Sequence, residues 1–185
     1  MLPPDEEESA IGGLVVQAAW LQLNLIEAGF FVRGGLSLGL LHLRDGLVFG
    51  PALADAYELE SDKAVHPRIV LSRPAAKSQH DDLTAYADPR ESAQQAMLMR
   101  DGDGWSFINY LGLLFDEPED PRPALAMHRD RVVECLSRHR GTKRVWEKYR
   151  WLAEYHNHVV MTRLPGSAEL LVAASLMTWE FVSFV

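Results

Sequence analysis

Hydrophobic positions follow a helical period in some stretches of this chain and form short apolar runs in others. Stretches with apolar residues every three or four positions predict helices, and they lie at about residues 10–27, 50–64, 124–138 and 143–159. Short apolar runs beside turn residues predict strands, and they lie at residues 30–43, 47–49, 68–72, 97–100 and 105–110. This mixture of helices and strands indicates the α+β class.

Turn residues separate two of the predicted strand pairs. Arg44-Asp-Gly46 predicts the turn of one hairpin, and Asp101-Gly-Asp-Gly104 predicts the turn of another. The second turn shares part of its spelling with a calcium loop, but it lacks the ligand at the twelfth position, so a hairpin turn is the better account. Residues 73–96 are polar and without a period, which predicts a surface connection apart from a short helix at residues 91–96.

Composition divides the chain into four parts. Residues 1–115 form the predicted α+β domain, and residues 116–123 form a Pro-rich loop that cannot lie inside a helix. Residues 124–160 form a helical pair. Within the α+β domain, Ser9 is the predicted N-cap of the first helix and Gly29 is its predicted stop. Residues 161–185 form an apolar tail, whose most hydrophobic part is shorter than the roughly 20 residues that span a bilayer.

The charge balance is acidic, with 18 Lys and Arg against 26 Asp and Glu and a formal net charge of −8. This balance disfavours general binding to nucleic acid. Residues 127–150 are an exception, because eight Lys/Arg and three Asp/Glu give a local charge of +5. Such a basic segment is more commonly a solvated surface or a surface that contacts the acidic rest of the chain. The alternative is a binding site for a polyanion.

Cysteine use and the first residues predict a cytoplasmic protein. Cys135 is the only cysteine, so an internal disulfide and a cysteine zinc site are both excluded. The opening residues lack the basic and apolar regions of a signal peptide. The chain has no phosphate-loop motif, no GxSxG serine and no HExxH pair, and His156 and His158 point in different directions on a helix.

Two blocks carry the most specific information, the strand Arg33-Gly-Gly-Leu-Ser-Leu-Gly39 and the helix start Gly50-Pro-Ala-Leu-Ala-Asp-Ala-Tyr-Glu-Leu-Glu60. They resemble the catalytic domain of class III nucleotide cyclases, in which a strand R-x-G-I-x-x-G and a hairpin precede G-D-x-V-N-x-A-x-R-L-E. The matching positions are Arg33, Gly35, Leu36, Gly39, Gly50, Ala56, Leu59 and Glu60. With His66–Val70 and Lys148–Asn157, the blocks resemble the bacterial branch that includes the pyrimidine cyclases of Pycsar antiphage systems.

The resemblance covers roughly residues 10–158 and implies a function. It implies a homodimeric cyclase that converts a nucleoside triphosphate, UTP before CTP, into a 3′,5′-cyclic pyrimidine mononucleotide, an antiphage second messenger. It also implies a divalent metal, Mn or Mg, and a ferredoxin-like domain of which this chain holds the later strands and a C-terminal helical pair. The nucleotide-binding positions that it implies are Arg33, Gly35, Leu47, Gly50, Ala54, Tyr57 and Glu58.

Departures from the family pattern support a rival hypothesis. The family holds its metals with two Asp that precede the first helix of this chain, and no residue here corresponds to either. Ala54 and Glu58 replace the family's Asn and Arg, and a carboxylate cannot do the work of a guanidinium. We therefore expect either that upstream codons encode the metal ligands or that the chain is an inactive module that binds a nucleotide or a protein.

Local alternatives exist for the motif residues themselves. Arg33 can pair with Glu58 or Glu60 instead of lining a site. The glycines of the first block can serve strand-to-helix packing as well as close approach to a nucleotide. Tyr57 is more typical of a core or dimer-face aromatic than of a base-stacking one.

Overall fold

A computed structural model describes residues 4–84 and 97–178 of the chain, with side chains from residues 11–81 and 97–178. The chain divides into two compact units, Met1–Pro118 and Glu119–Val185. We refer to them as unit 1 and unit 2. The predicted short helix at residues 91–96 lies outside the described residues.

Helices account for most of the described secondary structure. They are α1 (Pro4–Glu27), α2 (Pro51–Glu58), α3 (Arg73–Thr84), α4 (Arg122–Arg138) and α5 (Lys143–Arg163). A π-helical turn, Leu59–Lys63, continues α2, and 3₁₀ segments lie at Tyr110–Phe115, Ala168–Leu170 and Ala174–Leu176. The strands are β1 (Gly34–Leu36), β2 (His42–Arg44), β3 (Leu47–Phe49), β4 (Ile69–Leu71), β5 (Leu98–Arg100) and β6 (Ser106–Ile108).

Unit 1 contains a four-stranded mixed sheet in the order β1-β4-β6-β5. β1 and β4 are parallel, and β6 is antiparallel to both β4 and β5. Within the described residues, β2 and β3 pair only with each other, in a separate two-stranded sheet. The α+β class predicted from the sequence is confirmed.

Helix α1 covers the sheet with one apolar stripe. Ile11, Val15, Ala19 and Ile26 recur at helical spacing and are buried, and α1 packs against α3, β6 and the 3₁₀ segment after β6. The helix begins at Pro4, so Ser9 lies inside it and the predicted N-cap at Ser9 is wrong. Its end at Glu27 is as predicted.

The apolar run at residues 30–43 is two strands, not the single strand that its composition predicts. β1 ends at Leu36, and β2 begins at His42 in a different sheet. A one-dimensional pattern does not reveal this break, because Leu38, Leu40 and Leu41 continue the apolar run between the two strands. The hairpin turn at Asp45 and Gly46 is confirmed, with φ values of 51° and 79°.

Two further boundaries differ from the prediction. Residues 73–84 form helix α3 instead of a surface connection. The helix packs against α1, and Ala75 and Gln79, one turn apart, are buried on its inner side. Helix α4 begins at Arg122, inside the predicted loop at 116–123, because a proline at the first turn of a helix loses no hydrogen bond.

A buried arginine fastens the second hairpin of unit 1 to the sheet. Arg68 has no exposed surface, and its guanidinium pairs with Asp101 and Asp103 of the β5–β6 turn. It also donates to the carbonyl of Lys63 at 3.2 Å and lies over the ring of Phe107 at 5.7 Å. A buried cation needs such partners, and here they tie three separate parts of the chain together.

In unit 2, α4 packs against α5 around a core of apolar and polar side chains. The buried polar members are His128, His156 and Asn157. Two apolar residues from the predicted tail, Leu170 and Val172, are also buried. Among the described residues, no helix is both long enough and apolar enough to cross a membrane.

Candidate functional site

A groove of about 330 Å³ lies in unit 1, at the end of the two parallel strands. Its volume is at the lower end of the range for small-molecule sites. The lining residues are Ser37, Leu38, Asp55, Glu58, Leu59, Asp62, Lys63, Ser72, Arg73, Pro74 and Trp105. Four separate segments of the chain, residues 37–38, 55–63, 72–74 and 105, therefore meet around one opening.

Strand direction explains why the groove forms here. β1 and β4 are parallel, so the residues that follow them, Ser37 and Ser72, leave the sheet at the same edge. The amide of Ser72 still donates to the carbonyl of Leu36 at 2.8 Å, which holds the two strand ends side by side. In α/β sheets ligands bind at such carboxyl ends, where the chain leaves the sheet in loops.

The N-terminus of α3 forms one wall. The hydroxyl of Ser72 accepts the amide of Ala75 at 3.3 Å, as an N-cap does, and Arg73 and Pro74 form the first turn. Arg73 extends over the ring of Trp105, with its guanidinium carbon 5.9 Å from the ring centroid. This wall therefore carries a helix N-terminus, a cation and an aromatic ring.

The opposite wall comes from α2 and the π-helical turn after it. Asp55, Glu58 and Asp62 face the groove from this side, together with Lys63. In the part of the chain whose side chains are described, none of these four groups, nor Arg73, forms an ion pair. The groove thus presents three carboxylates and two cations that are available to a ligand.

The aromatic wall is held in place by the buried arginine. Asp103, which pairs with Arg68, also accepts the amide of Trp105 at 3.1 Å through its other oxygen. Burial raises the pKa of Asp103, but the hydrogen bond from Arg68 and the amide of Trp105 outweigh it and lower that pKa below 3.8. The carboxylate therefore stays charged and keeps Trp105 in position.

The two motif blocks contact each other, but mainly through packing. Arg33 forms an ion pair with Glu60, with Nε and Oε1 2.5 Å apart, which is one of the two local alternatives for this residue. Gly35 faces α2 so closely that an added Cβ would lie 2.1 Å from the carbonyl oxygen of Ala56. Gly50 has a φ of 144° and would bring a Cβ within 2.5 Å of the carbonyl oxygen of Leu40.

Of the seven predicted nucleotide-binding positions, Glu58 lines the groove. Leu47 is 69% exposed on the β2–β3 hairpin, away from the groove lining. Ala54 and Tyr57 lie on the exposed side of α2, and Tyr57 is 70% exposed, so it is not a core residue. Arg33, Gly35 and Gly50 hold β1, the hairpin and α2 together, as described above.

The divalent metal of the cyclase family does not fit the described residues. Within residues 4–84 and 97–178, no three His, Cys, Asp or Glu side chains lie close enough to hold a metal ion. Asp55, Glu58 and Asp62 line the groove without converging on one point. No step of a reaction is therefore assigned to a metal held by these residues.

Sequence reasoning missed most of the groove. The sequence pattern does not single out Lys63, Arg73 or Trp105, because it predicts a connection at residues 73–96 and only a turn at Asp101–Gly104. Local signals for α3 exist: Ser72 as an N-cap, Pro74 in the first turn and an ion pair between Lys77 and Asp81 one turn apart. Nothing local places Trp105, because its position depends on the long-range pairing of Arg68.

Comparisons with protein-family models, with curated proteins and with solved structures find no match to this chain.

Proposed function

We propose that this chain provides nucleotide-binding structure to a pyrimidine nucleotide cyclase, which forms a 3′,5′-cyclic pyrimidine mononucleotide, cUMP before cCMP, as an antiphage second messenger. The four-stranded sheet is, on this proposal, part of a ferredoxin-like class III cyclase domain. The proposal rests on the resemblance of the motif blocks. The structural observation that supports the proposal is the groove next to the two motif blocks.

The motif blocks support the proposal because they are neighbours in space. Arg33 reaches Glu60, and Gly35 lets β1 lie directly against α2. A larger residue at position 35 would push α2 away from β1 and change the groove wall that carries Glu58. A glycine at this position of the cyclase-like strand motif is what such a close strand-to-helix contact would require.

The groove has groups that suit each part of a nucleotide. Lys63, Arg73 and the N-terminus of α3 favour phosphate oxygens. Trp105 offers a ring for a base to stack on. The carboxylates of α2 can accept hydrogen bonds from ribose hydroxyls or from the N3–H of uracil. A ligand with a charged end, a sugar and a planar ring would use all three sets.

Self-association is part of the proposal, and the β2–β3 hairpin is the surface that favours it. All six strand residues of this hairpin are exposed, so neither face of it is covered. Exposed apolar residues on it and on α2 are Leu40, Leu41, Leu43, Leu47, Val48, Phe49, Leu53 and Tyr57. A lone two-stranded sheet is marginally stable in water, and contiguous apolar surface of several hundred Å² marks an interface.

A second candidate function is a cyclase-like module that binds a nucleotide without chemistry. The observation that favours it is the lack, among the described residues, of a metal-binding group. Phosphoryl chemistry depends strongly on charge neutralisation, which two cations facing three carboxylates do not supply. The two candidates share the groove and differ only in turnover.

Turnover is tested by incubating the purified chain with manganese and each of the four ribonucleoside triphosphates. Cyclic product and pyrophosphate are then measured by mass spectrometry. The cyclase candidate predicts cyclic UMP above all other products, and its loss in Arg33→Ala. Arg122→Ala, which removes an exposed ion pair with Asp120 outside the groove and the hairpin, is the matched control and should keep full turnover.

The outcomes separate the two candidates. Cyclic pyrimidine product supports the cyclase. Saturable UTP binding without product supports the binding module. Neither product nor binding of any of the four triphosphates would overturn both.

A further inference from the structure

After α5, unit 2 continues into a segment that is held by side chains of both α4 and α5. We call residues 168–172 the strap. Asn157 of α5 donates to the carbonyl of Val172 at 2.9 Å and accepts the amide of Val172 at 2.8 Å. Arg129 of α4 donates to the carbonyl of Glu169. Leu170 and Val172 are buried beneath these contacts.

A pair of buried histidines completes the fastening. His156 of α5 contacts the carbonyl of Leu170 through Nε2 at 2.9 Å. Its other ring nitrogen, Nδ1, lies 3.1 Å from Nδ1 of His128 on α4, and the two rings stack with their centroids 5.0 Å apart. The strap is therefore joined to α4 through a chain of two imidazoles.

The hydrogen-bond partners of the two imidazoles determine which ring nitrogens carry protons. A carbonyl oxygen only accepts, so Nε2 of His156 carries a proton and Nδ1 of the neutral ring is bare. The contact between the two Nδ1 atoms then requires His128 to be the donor. If both rings were charged, two N–H groups would face each other at 3.1 Å, and the rings would have to separate.

The surroundings of the pair disfavour positive charge. Burial, and then the proximity of His156, hold the pKa of His128 well below 6.5. Burial also lowers the pKa of His156; the hydrogen bond to Leu170 opposes this, and the charge of Arg129 adds to it. Arg129 of α4 is the cation that acts on His156, and it is paired with Asp130 at 2.7 Å. The strap itself contributes Glu169, whose side chain is exposed and whose carbonyl is taken by Arg129.

We propose that the His128–His156 pair makes the strap a pH-sensitive closure, which is fastened when both rings are neutral and released when they become charged. Release frees the carbonyl of Leu170 and exposes Leu170 and Val172. An undocked imidazole has a pKa near 6.5, so the fastened state is fully favoured above that pH and is lost as the pH falls below it. Because two rings titrate, the release should be steep.

The test is hydrogen exchange of the intact chain at pH 7.5 and pH 5.5, followed by mass spectrometry and corrected for the intrinsic pH dependence of exchange. We expect the amides of residues 170–172 to lose at least tenfold in protection at pH 5.5, while α4 and α5 stay protected. In His156→Gln the side-chain amide can still donate to Leu170, and the protection should no longer depend on pH. His158→Gln is the matched control, since His158 is exposed on the same helix, and it should behave like the natural chain.

Three results would overturn the proposal. One is equal protection of the strap at both pH values. Another is a pH dependence that survives in His156→Gln. The third is a simultaneous loss of protection in α4, α5 and the strap, which would assign the pair to the stability of the whole unit. If His156→Gln does not fold, the ring protons of the natural chain are titrated by NMR, and a midpoint that differs from that of strap release contradicts the proposal.

Discussion

The hairpin of β2 and β3 and the hairpin of β5 and β6 have similar sequences and different surroundings. Both turns contain an Asp and a Gly between short apolar strands. The β5–β6 hairpin is paired into the four-stranded sheet, and its turn carboxylates hold the buried Arg68. The β2–β3 hairpin pairs only with itself, and all of its strand residues are exposed.

The two hairpins show that a turn motif specifies a hairpin but not the role of that hairpin in the fold. Around Arg68, the second hairpin has become a structural part of the groove, because it places Trp105 at the wall. The first hairpin has no such anchor in the part of the chain that the structure describes, and its apolar side chains remain available to another surface. Stability should therefore depend on one hairpin and association on the other.

Removal of the anchor should have the largest effect. Arg68→Met leaves Asp101 and Asp103 without their cation, and we expect the free energy of unfolding to fall by about 3 kcal/mol. Urea unfolding measured by circular dichroism checks this. The control is Arg44→Met on the exposed hairpin, which should change the stability by less than about 0.5 kcal/mol. Equal effects of the two variants would contradict the contrast.

The next effect concerns the contact between β1 and α2. Gly35→Ala places a Cβ 2.1 Å from the carbonyl oxygen of Ala56, so β1 and α2 must separate, at a cost of about 2 kcal/mol. Gly13→Ala, in α1 with open space around it, should instead stabilise the chain slightly. Thermal unfolding of both variants measures the difference, and tolerance of the alanine at position 35 would remove packing as the reason for this glycine.

The exposed hairpin should control self-association. Leu43→Ser with Leu47→Ser should raise the dimer dissociation constant at least tenfold, with little change in the stability of the folded chain, because both side chains are exposed. Sedimentation velocity over a concentration series measures it. Leu14→Ser, on an exposed part of α1, controls for the general loss of surface hydrophobicity. Unchanged association in the double variant would exclude the hairpin as the interface.

The smallest effect is a pH dependence at the β5–β6 turn. Because the pKa of Asp103 is lowered in the folded chain, the stability that it contributes is present above pH 3.8 and is lost as the pH falls below that value. Asp103→Asn should be less stable than the natural chain at pH 7, and the difference should narrow toward pH 2. If the difference in unfolding free energy between the natural chain and Asp103→Asn stayed constant from pH 7 to pH 2, this carboxylate would contribute no pH-dependent stability.

The sequence allowed the fold class and most helices and strands to be predicted, because periodicity and turn residues are local signals. It predicted the β2–β3 hairpin through Asp45 and Gly46, and the pairing of Arg33 with Glu60 as one alternative. It did not predict helix α3, whose buried side is only Ala75 and Gln79 in the described part. It also could not predict the groove, since Lys63, Arg73 and Trp105 meet only through strand pairing and the contacts of Arg68.

The proposed binding of a pyrimidine nucleotide in the groove is best tested by calorimetric titration of the intact chain with UTP in the presence of manganese. We expect saturable binding that weakens at least tenfold when Lys63→Met and Arg73→Met are combined, since both cations line the groove. Lys77→Met, on the exposed side of α3, should leave binding unchanged. Absence of binding in the natural chain, or equal binding in the double variant, would show that the groove is not a nucleotide site.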